Sequence, residues 1–174
     1  MLLSLLWRLL LVAGCLISVG GILPVYAQSG GSPQVMLQKA VAALQRAEQL
    51  VADDPEGALA AAKESRQTFS ELQKATAAKL SERVLTEGQI EKEKVQLQLA
   101  EDLYKKGELF QKAAQEKIAR SKELRTQGDE AAALNLEGVA QIEGRLALQN
   151  YVRSMIFGLK NQQLLFEDLF KTGK

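Results

Sequence analysis

The feature that most constrains the fold of this chain is a long stretch that lacks proline. Residues 56–174 contain none, and β-branched residues are sparse among them. Proline disfavours a helix interior by about 3 kcal/mol, and β-branched side chains lose rotational freedom in a helix. So long a stretch with so few helix breakers predicts an all-α protein, and no segment indicates a sheet.

The N-terminal segment has the pattern of a signal peptide. Arg8 supplies the only early positive charge, and an apolar run follows over residues 9–23. Ala27 then places a small residue at the expected cleavage site. We therefore predict a signal peptide over residues 1–27, cleavage between Ala27 and Gln28, and an exported protein that is periplasmic, secreted or lumenal.

Two alternatives for this segment stay open. Small residues precede Cys15, as they do before the lipid-bearing cysteine of a lipoprotein. The apolar run with its flanks also approaches the roughly 20 residues that span a bilayer, so an uncleaved N-terminal membrane anchor is the second alternative.

The composition of the exported part argues against most enzyme chemistry. The chain has no histidine, and its single cysteine and single tryptophan both fall within the predicted signal peptide. Without histidine or cysteine there is no imidazole base, no thiol nucleophile and no usual zinc or haem ligand set. We therefore expect no enzyme, no cofactor and no metal.

The charge balance argues against nucleic acid as a partner. Removal of Arg8 with the signal peptide leaves 21 Lys and Arg against 21 Asp and Glu. Nucleic-acid binding requires a surplus of Lys and Arg on one face, so we do not expect it here.

A short amphipathic helix is predicted to follow a Gly/Ser linker over residues 28–32. Apolar residues recur at spacings of three and four over residues 33–52, with polar residues between them. Asp54 and Pro55 then break the helix, because a residue before proline is disfavoured in the α region and Asp54 can cap the next helix. This first helix could pack on the rest of the protein or lie on a membrane surface.

A long helical hairpin is predicted over residues 55–170, with its turn at Gly128 and Asp129. Glycine is suited to a helix C-terminus, and aspartate to the start of the next helix. The two helices of the hairpin, residues 86–125 and 130–169, would form an antiparallel, coiled-coil-like pair about 60 Å long. We predict that an apolar interaction stripe runs along this pair, formed by Phe110, Ile118, Leu148, Val152, Met155, Leu159, Phe166 and Leu169.

Two architectures are compatible with this narrow stripe. A lone hairpin buries little apolar surface, which favours further association through the stripe. Alternatively, residues 69–84 fold back onto the hairpin, with Gly88 as the turn, and close a three- or four-helix bundle.

Two further clusters have ordinary structural interpretations. The carboxylates of residues 91–108 alternate with lysines at helical neighbour spacing, which indicates a solvated face rather than a metal site. The apolar residues of 164–170 could form a docking motif, although core packing is the more common use of such a cluster.

The order of these parts resembles the phage-shock protein A family, whose relatives include the vesicle-inducing protein of plastids. The resemblance rests on the helix break at Asp54-Pro55, on the long charged helix after it, and on Gly128, Glu130 and Ala133 at the hairpin tip. It implies a self-assembling protein that maintains the cell envelope at a membrane surface.

Together these features predict a non-enzymatic, exported helical scaffold that self-associates or binds another helical protein, with a membrane surface as a further candidate partner. The alternative is a monomeric helical adaptor or chaperone-like module that grips another protein with its apolar stripe.

Overall fold

The protein is all-α and contains a long helical hairpin, as predicted. A computed structural model describes residues 31–82 and 85–171, and no strand occurs in these ranges. Its helices are α1 (Pro33–Leu50), α2 (Pro55–Ala75), α3 (Ala77–Ser81), α4 (Glu87–Thr126) and α5 (Glu130–Lys171). The predicted signal peptide, with Ala27 and Gln28, and the lipoprotein alternative at Cys15 lie outside the described residues.

The break between α1 and α2 forms at Asp54 and Pro55. The Asp54 carboxylate accepts a hydrogen bond from the backbone N–H of Gly57 at 2.9 Å, and Pro55 occupies the first turn of α2, where its missing N–H costs nothing. Helix α1 ends at Leu50, two residues before the predicted boundary, because residues 51–53 already form the turn.

The connection between α2 and α4 differs from the turn proposed at Gly88. Helix α4 begins at Glu87, where Thr86 and Gln89 form a reciprocal capping box. Each of the two side chains accepts a hydrogen bond from the other residue's backbone N–H, which satisfies donors that a helix start leaves free. Gly88 therefore lies inside the first turn of α4, and the chain reverses direction before it.

The reversal between α4 and α5 is a short turn that contains Gly128. This glycine has φ +85°, a conformation that costs other residues free energy. The N–H of Asp129 donates to the carbonyl of Leu124 at 3.0 Å, and its carboxylate accepts from the N–H of Ala132 at 3.1 Å. The same residue thus completes the end of α4 and caps α5.

Contacts along the hairpin define an antiparallel register centred on that turn. The rings of Tyr104 and Tyr151 lie 5.2 Å apart between centroids, and these residues are 24 and 23 positions from Gly128. Farther from the turn, the hydroxyl of Ser154 donates to the carbonyl of Ala100 at 2.6 Å. The two long helices therefore stay paired over nearly their whole length.

Helix α5 is the spine of the molecule, because α4 packs along it while α1 and α2 pack on its C-terminal half. The rings of Phe69 on α2 and Phe166 on α5 stack with centroids 5.8 Å apart and 9° between their planes. Alanines line much of the α1–α2 contact, and the Ser65 hydroxyl donates to the Ala40 carbonyl across it at 2.9 Å. Small side chains of this kind allow two helix backbones to approach closely.

The molecule has two structurally distinct halves. We call the three-helix bundle formed by α1, α2 and residues 148–171 of α5 the base. We call the part of the hairpin over residues 107–146 the arm, which extends beyond the base by about 30 Å. In the described residues α4 shares no extended interface with α1 or α2, so it does not close the base into a four-helix bundle.

Candidate interaction surface

Most residues of the predicted interaction stripe are buried or partly buried within the chain's own fold. Four of its members are buried in the base, and two more are partly buried and pack against that core: Val152, Leu159, Phe166 and Leu169, then Leu148 and Met155. Phe110 is half-buried, and Ile118 is exposed on the arm. In this conformation the base half of the stripe is therefore unavailable to a partner.

The two flanking segments that had alternative interpretations also contribute to the base. In α1, Ala40, Leu44 and Ala47 are buried in the common core. Phe166 and Leu169 of the C-terminal cluster belong to the same core, whereas Leu164 stays exposed. The structure thus places both segments in intramolecular packing.

An uncharged exposed surface of the arm lies on α5, on the side facing away from α4. Leu134 is 55% exposed and Ile142 is 63% exposed. We call this surface the outer face of α5, and its exposed residues are Ala131, Leu134, Asn135, Gly138, Val139 and Ile142. All six are uncharged, which is unusual for a helix surface that faces water.

The single charged residue within this section of α5 is already paired. Between Glu130 and Glu143 the only ionisable residue is Glu137. Its carboxylate accepts hydrogen bonds from the Arg125 guanidinium at 2.8 Å and from the Ser121 hydroxyl at 3.1 Å, both on α4. The charge therefore stabilises the hairpin and leaves the outer face neutral.

Helix α4 presents the opposite kind of surface. Its exposed lysines and glutamates form pairs along the helix, such as Lys105 with Glu101 at 2.7 Å and Lys112 with Glu116 at 3.9 Å. Such pairs on a solvated face contribute little to stability and are ordinary surface features. No group of His, Cys, Asp and Glu that could hold a metal occurs in the part of the chain that the structure describes.

The outer face of α5 continues the surface on which the base is built. From Ile142 the same side of the helix passes through Arg145 and Gln149 to the buried Val152, at steps of three, four and three residues. Arg145 donates to the Asp53 carbonyl at 2.7 Å and Gln149 donates to the Ala52 carbonyl at 2.8 Å. These two bonds mark where the α1–α2 turn ends and the uncovered continuation begins.

An open groove of about 650 Å³ lies between α4 and α5, where the arm joins the base. Its floor and walls combine small and polar residues of α4 with a few residues of α5: Gln111, Ala114, Gln115, Ile118, Ala119 and Lys122, then Gly144, Ala147, Leu148 and Tyr151. The hydroxyl of Tyr151 donates to the Gln111 side-chain carbonyl at 2.6 Å at one end. The groove is shallow, and it can accept a side chain rather than enclose a small molecule.

Close packing between α4 and α5 occurs at Gly107. A Cβ atom at this position would lie 2.8 Å from two ring carbons of Tyr151 and 3.2 Å from the carbonyl oxygen of Ala147. Burial of the Tyr151 ring, followed by the nearby Tyr104 and Glu108, raises the pKa of its phenol. Nothing in the local sequence around Gly107 reveals which ring lies opposite it.

Sequence patterns identified the stripe but not the outer face. The signal that could have indicated it is the near absence of charge over residues 131–142, in a chain where a quarter of the residues are charged. That signal is ambiguous in sequence, since a buried helix segment has the same composition.

Comparisons with protein-family models, with curated proteins and with solved structures found no match for the chain. Among the described residues, no helix combines the length and the apolar character needed to cross a bilayer. The geometry of the arm is therefore the main structural indication of function.

Proposed function

We propose that this protein is a non-enzymatic, exported helical scaffold that self-associates through its arm. The observation that supports the proposal is the contrast along one side of α5: α1 and α2 cover this side in the base, whereas its continuation in the arm is the outer face, with exposed Leu134 and Ile142. Exposed apolar patches next to polar surroundings are typical of protein-binding sites.

The resemblance to the phage-shock protein A family is a separate prediction that points the same way. A hairpin with its turn at Gly128, preceded by a helix break at Asp54-Pro55, is the arrangement on which that resemblance rests. Envelope maintenance at a membrane surface is the role that it implies for this chain.

Light scattering coupled to size exclusion tests the scaffold role. We expect the mass of the purified protein to rise above that of the monomer as its concentration increases through the micromolar range. A monomeric mass at every concentration would contradict self-association. N-terminal sequencing of the native protein tests export separately: a start at Gln28 is expected, and an intact Met1 would contradict it.

The second candidate function is a monomeric adaptor or chaperone-like module, and the groove between α4 and α5 favours it. A side chain of a bound helix could enter this groove between Ile118 and Leu148. The two functions differ in the expected effect of Ala119→Trp, which fills the groove: partner capture by an adaptor would be lost, whereas self-association through the outer face would persist.

A further inference from the structure

The exposed residues of the outer face of α5 are spaced symmetrically about Gly138. Leu134 and Ile142 lie four residues on either side of Gly138, and Ala131 and Arg145 lie seven residues on either side. At its lower edge the face meets the α1–α2 turn, which Arg145 and Gln149 hold in place. The outer face of α5 thus begins at the base and ends near the tip of the arm.

We infer that a second copy of this chain binds the outer face of α5, so that two α5 helices cross antiparallel with a two-fold axis beside Gly138. This inference rests on the proposed scaffold function and names its contact surface. The axis places Leu134 of each copy against the second copy's Ile142. The arm tip of each copy then reaches the α1–α2 turn of the other.

The space around Gly138 suits such a crossing. A Cβ atom added at this position would meet no atom of the described residues within 4 Å, so the described part of the fold gives no steric reason for glycine. Glycine in a helix interior is unfavourable relative to alanine, but it lets a second helix backbone approach closely. A crossing at Gly138 gives the residue a role that the single chain does not.

Charge also favours a second copy over other occupants. A face without charged residues is matched by another uncharged face, and the outer face of α5 supplies one. At the ends of the crossing, Ala131 of one copy lies level with the second copy's Arg145, and Glu130 lies one residue farther along, so that opposite charges come near each other. A membrane surface fits less well, because helices that lie on membranes carry lysine or arginine beside their apolar face, and residues 131–142 of α5 have neither.

The size of the contact predicts its strength. The face spans about three helical turns, so the buried area falls below the roughly 1,200 Å² at which standard stable interfaces begin. A dimer with a dissociation constant in the micromolar range or weaker is therefore expected, built from a continuation of the surface that already binds α1 and α2.

Cysteine cross-linking in a Cys15→Ser background, which has no other cysteine, tests this geometry. We expect a mixture of Leu134→Cys and Ile142→Cys chains to form an intermolecular disulfide under mild oxidation. Each variant alone should cross-link at least tenfold less, because identical positions would lie roughly 12 Å apart across the axis. A mixture of Leu109→Cys and Ile142→Cys chains is the matched control, since Leu109 is 70% exposed but lies on α4.

Light scattering of Ile142→Lys gives a second readout, with Leu109→Lys as its control. We expect Ile142→Lys to weaken the dimer at least tenfold and Leu109→Lys to leave it unchanged. Dimers that persist in Ile142→Lys without the mixed disulfide would overturn the inference but leave the scaffold function standing. A chain that stays monomeric would remove both.

Two other outcomes would overturn the inference specifically. Efficient homodimers of Leu134→Cys alone would indicate parallel helices. Binding of the monomer to vesicles of anionic phospholipid, abolished by Ile142→Lys, would assign the face to a membrane instead.

Discussion

The base and the arm share helix α5, but they cover the same side of this helix to different extents. In the base, Val152 and Phe166 of α5 are enclosed by α1 and α2. In the arm, α4 is the one described helix that packs on α5, and Leu134 and Ile142 are exposed. A regular apolar spacing therefore indicates that a helix has a packing surface. The number of helices that cover this surface decides whether it forms a core or stays exposed.

The two halves also differ in what holds their helices together. The base relies on close contact between aromatic rings and alanines, which stabilises through burial of apolar surface. The arm relies more on side-chain pairs between helices, such as Lys117 of α4 with Glu143 of α5 at 2.7 Å. Truncations of apolar residues should therefore cost most in the base.

The largest expected effect is that of Phe166→Ala. Its ring is 1% exposed and stacks on Phe69, so its loss leaves a cavity and should lower the free energy of unfolding by about 3–5 kcal/mol. Leu109→Ala in the arm is the control and should change it by less than about 0.5 kcal/mol. Urea denaturation followed by circular dichroism measures both, and equal effects would break the distinction between base and arm.

Glycine-to-alanine substitutions should have opposite effects at the contact between α4 and α5 and on the outer face of α5. Gly107→Ala forces a methyl group against Tyr151, and overpacking of this kind costs about 1–3 kcal/mol. Gly138→Ala meets no neighbour and should stabilise the monomer by up to about 1 kcal/mol, because alanine is the better helix former. Thermal unfolding of dilute samples compares them, and a destabilised Gly138→Ala monomer would contradict an open outer face.

The ion pair between the helices of the arm should contribute more to the free energy of unfolding than an ion pair on the surface of the base. In the described structure the second carboxylate oxygen of Glu143 is buried without a hydrogen-bond partner, so Lys117→Met leaves a largely buried charge and should cost about 1 kcal/mol. Arg46 pairs with Glu64 at 2.6 Å where both side chains are about half exposed. Arg46→Met should therefore cost less than about 0.5 kcal/mol in the same urea experiment.

The smallest expected effect is a pH dependence from Tyr151. Because burial raises the pKa of this phenol in the folded chain, its neutral form favours folding. That contribution is fully present below the ordinary tyrosine pKa of about 10 and is lost as the pH rises through the folded value. Ultraviolet absorbance should show a tyrosine phase above the ordinary pKa of about 10, and Tyr151→Phe should remove that phase. The absence of such a phase would contradict the burial.

Local sequence predicted much of the fold because helix boundaries depend on nearby residues. The Asp54 carboxylate caps α2 three residues away, and Gly128 adopts its positive φ within a tight turn. The turn proposed at Gly88 failed for an equally local reason, since the capping box of Thr86 and Gln89 starts α4 before the glycine. Competing local signals of similar strength are hard to rank without the structure.

The candidate surface was less predictable, because exposure is set by distant segments. Leu134 and Val152 occupy the same side of α5, yet one is exposed and the other buried. Only the position of the α1–α2 turn at Arg145 and Gln149 separates them. That position depends on packing between residues about ninety apart in sequence, which local patterns do not encode.

The sequence by itself determined that the chain is helical and where its main turn lies, because these properties follow from backbone preferences and from the residues at the helix ends. Only the tertiary structure decided that α5 is the spine, that Gly107 lies against Tyr151 and that the outer face of α5 stays uncovered. The physical reason is that the hydrophobic effect is not directional, so an apolar helix surface can pack against any helix that fits it. The lengths and positions of the neighbouring helices therefore determine how much of that surface stays exposed.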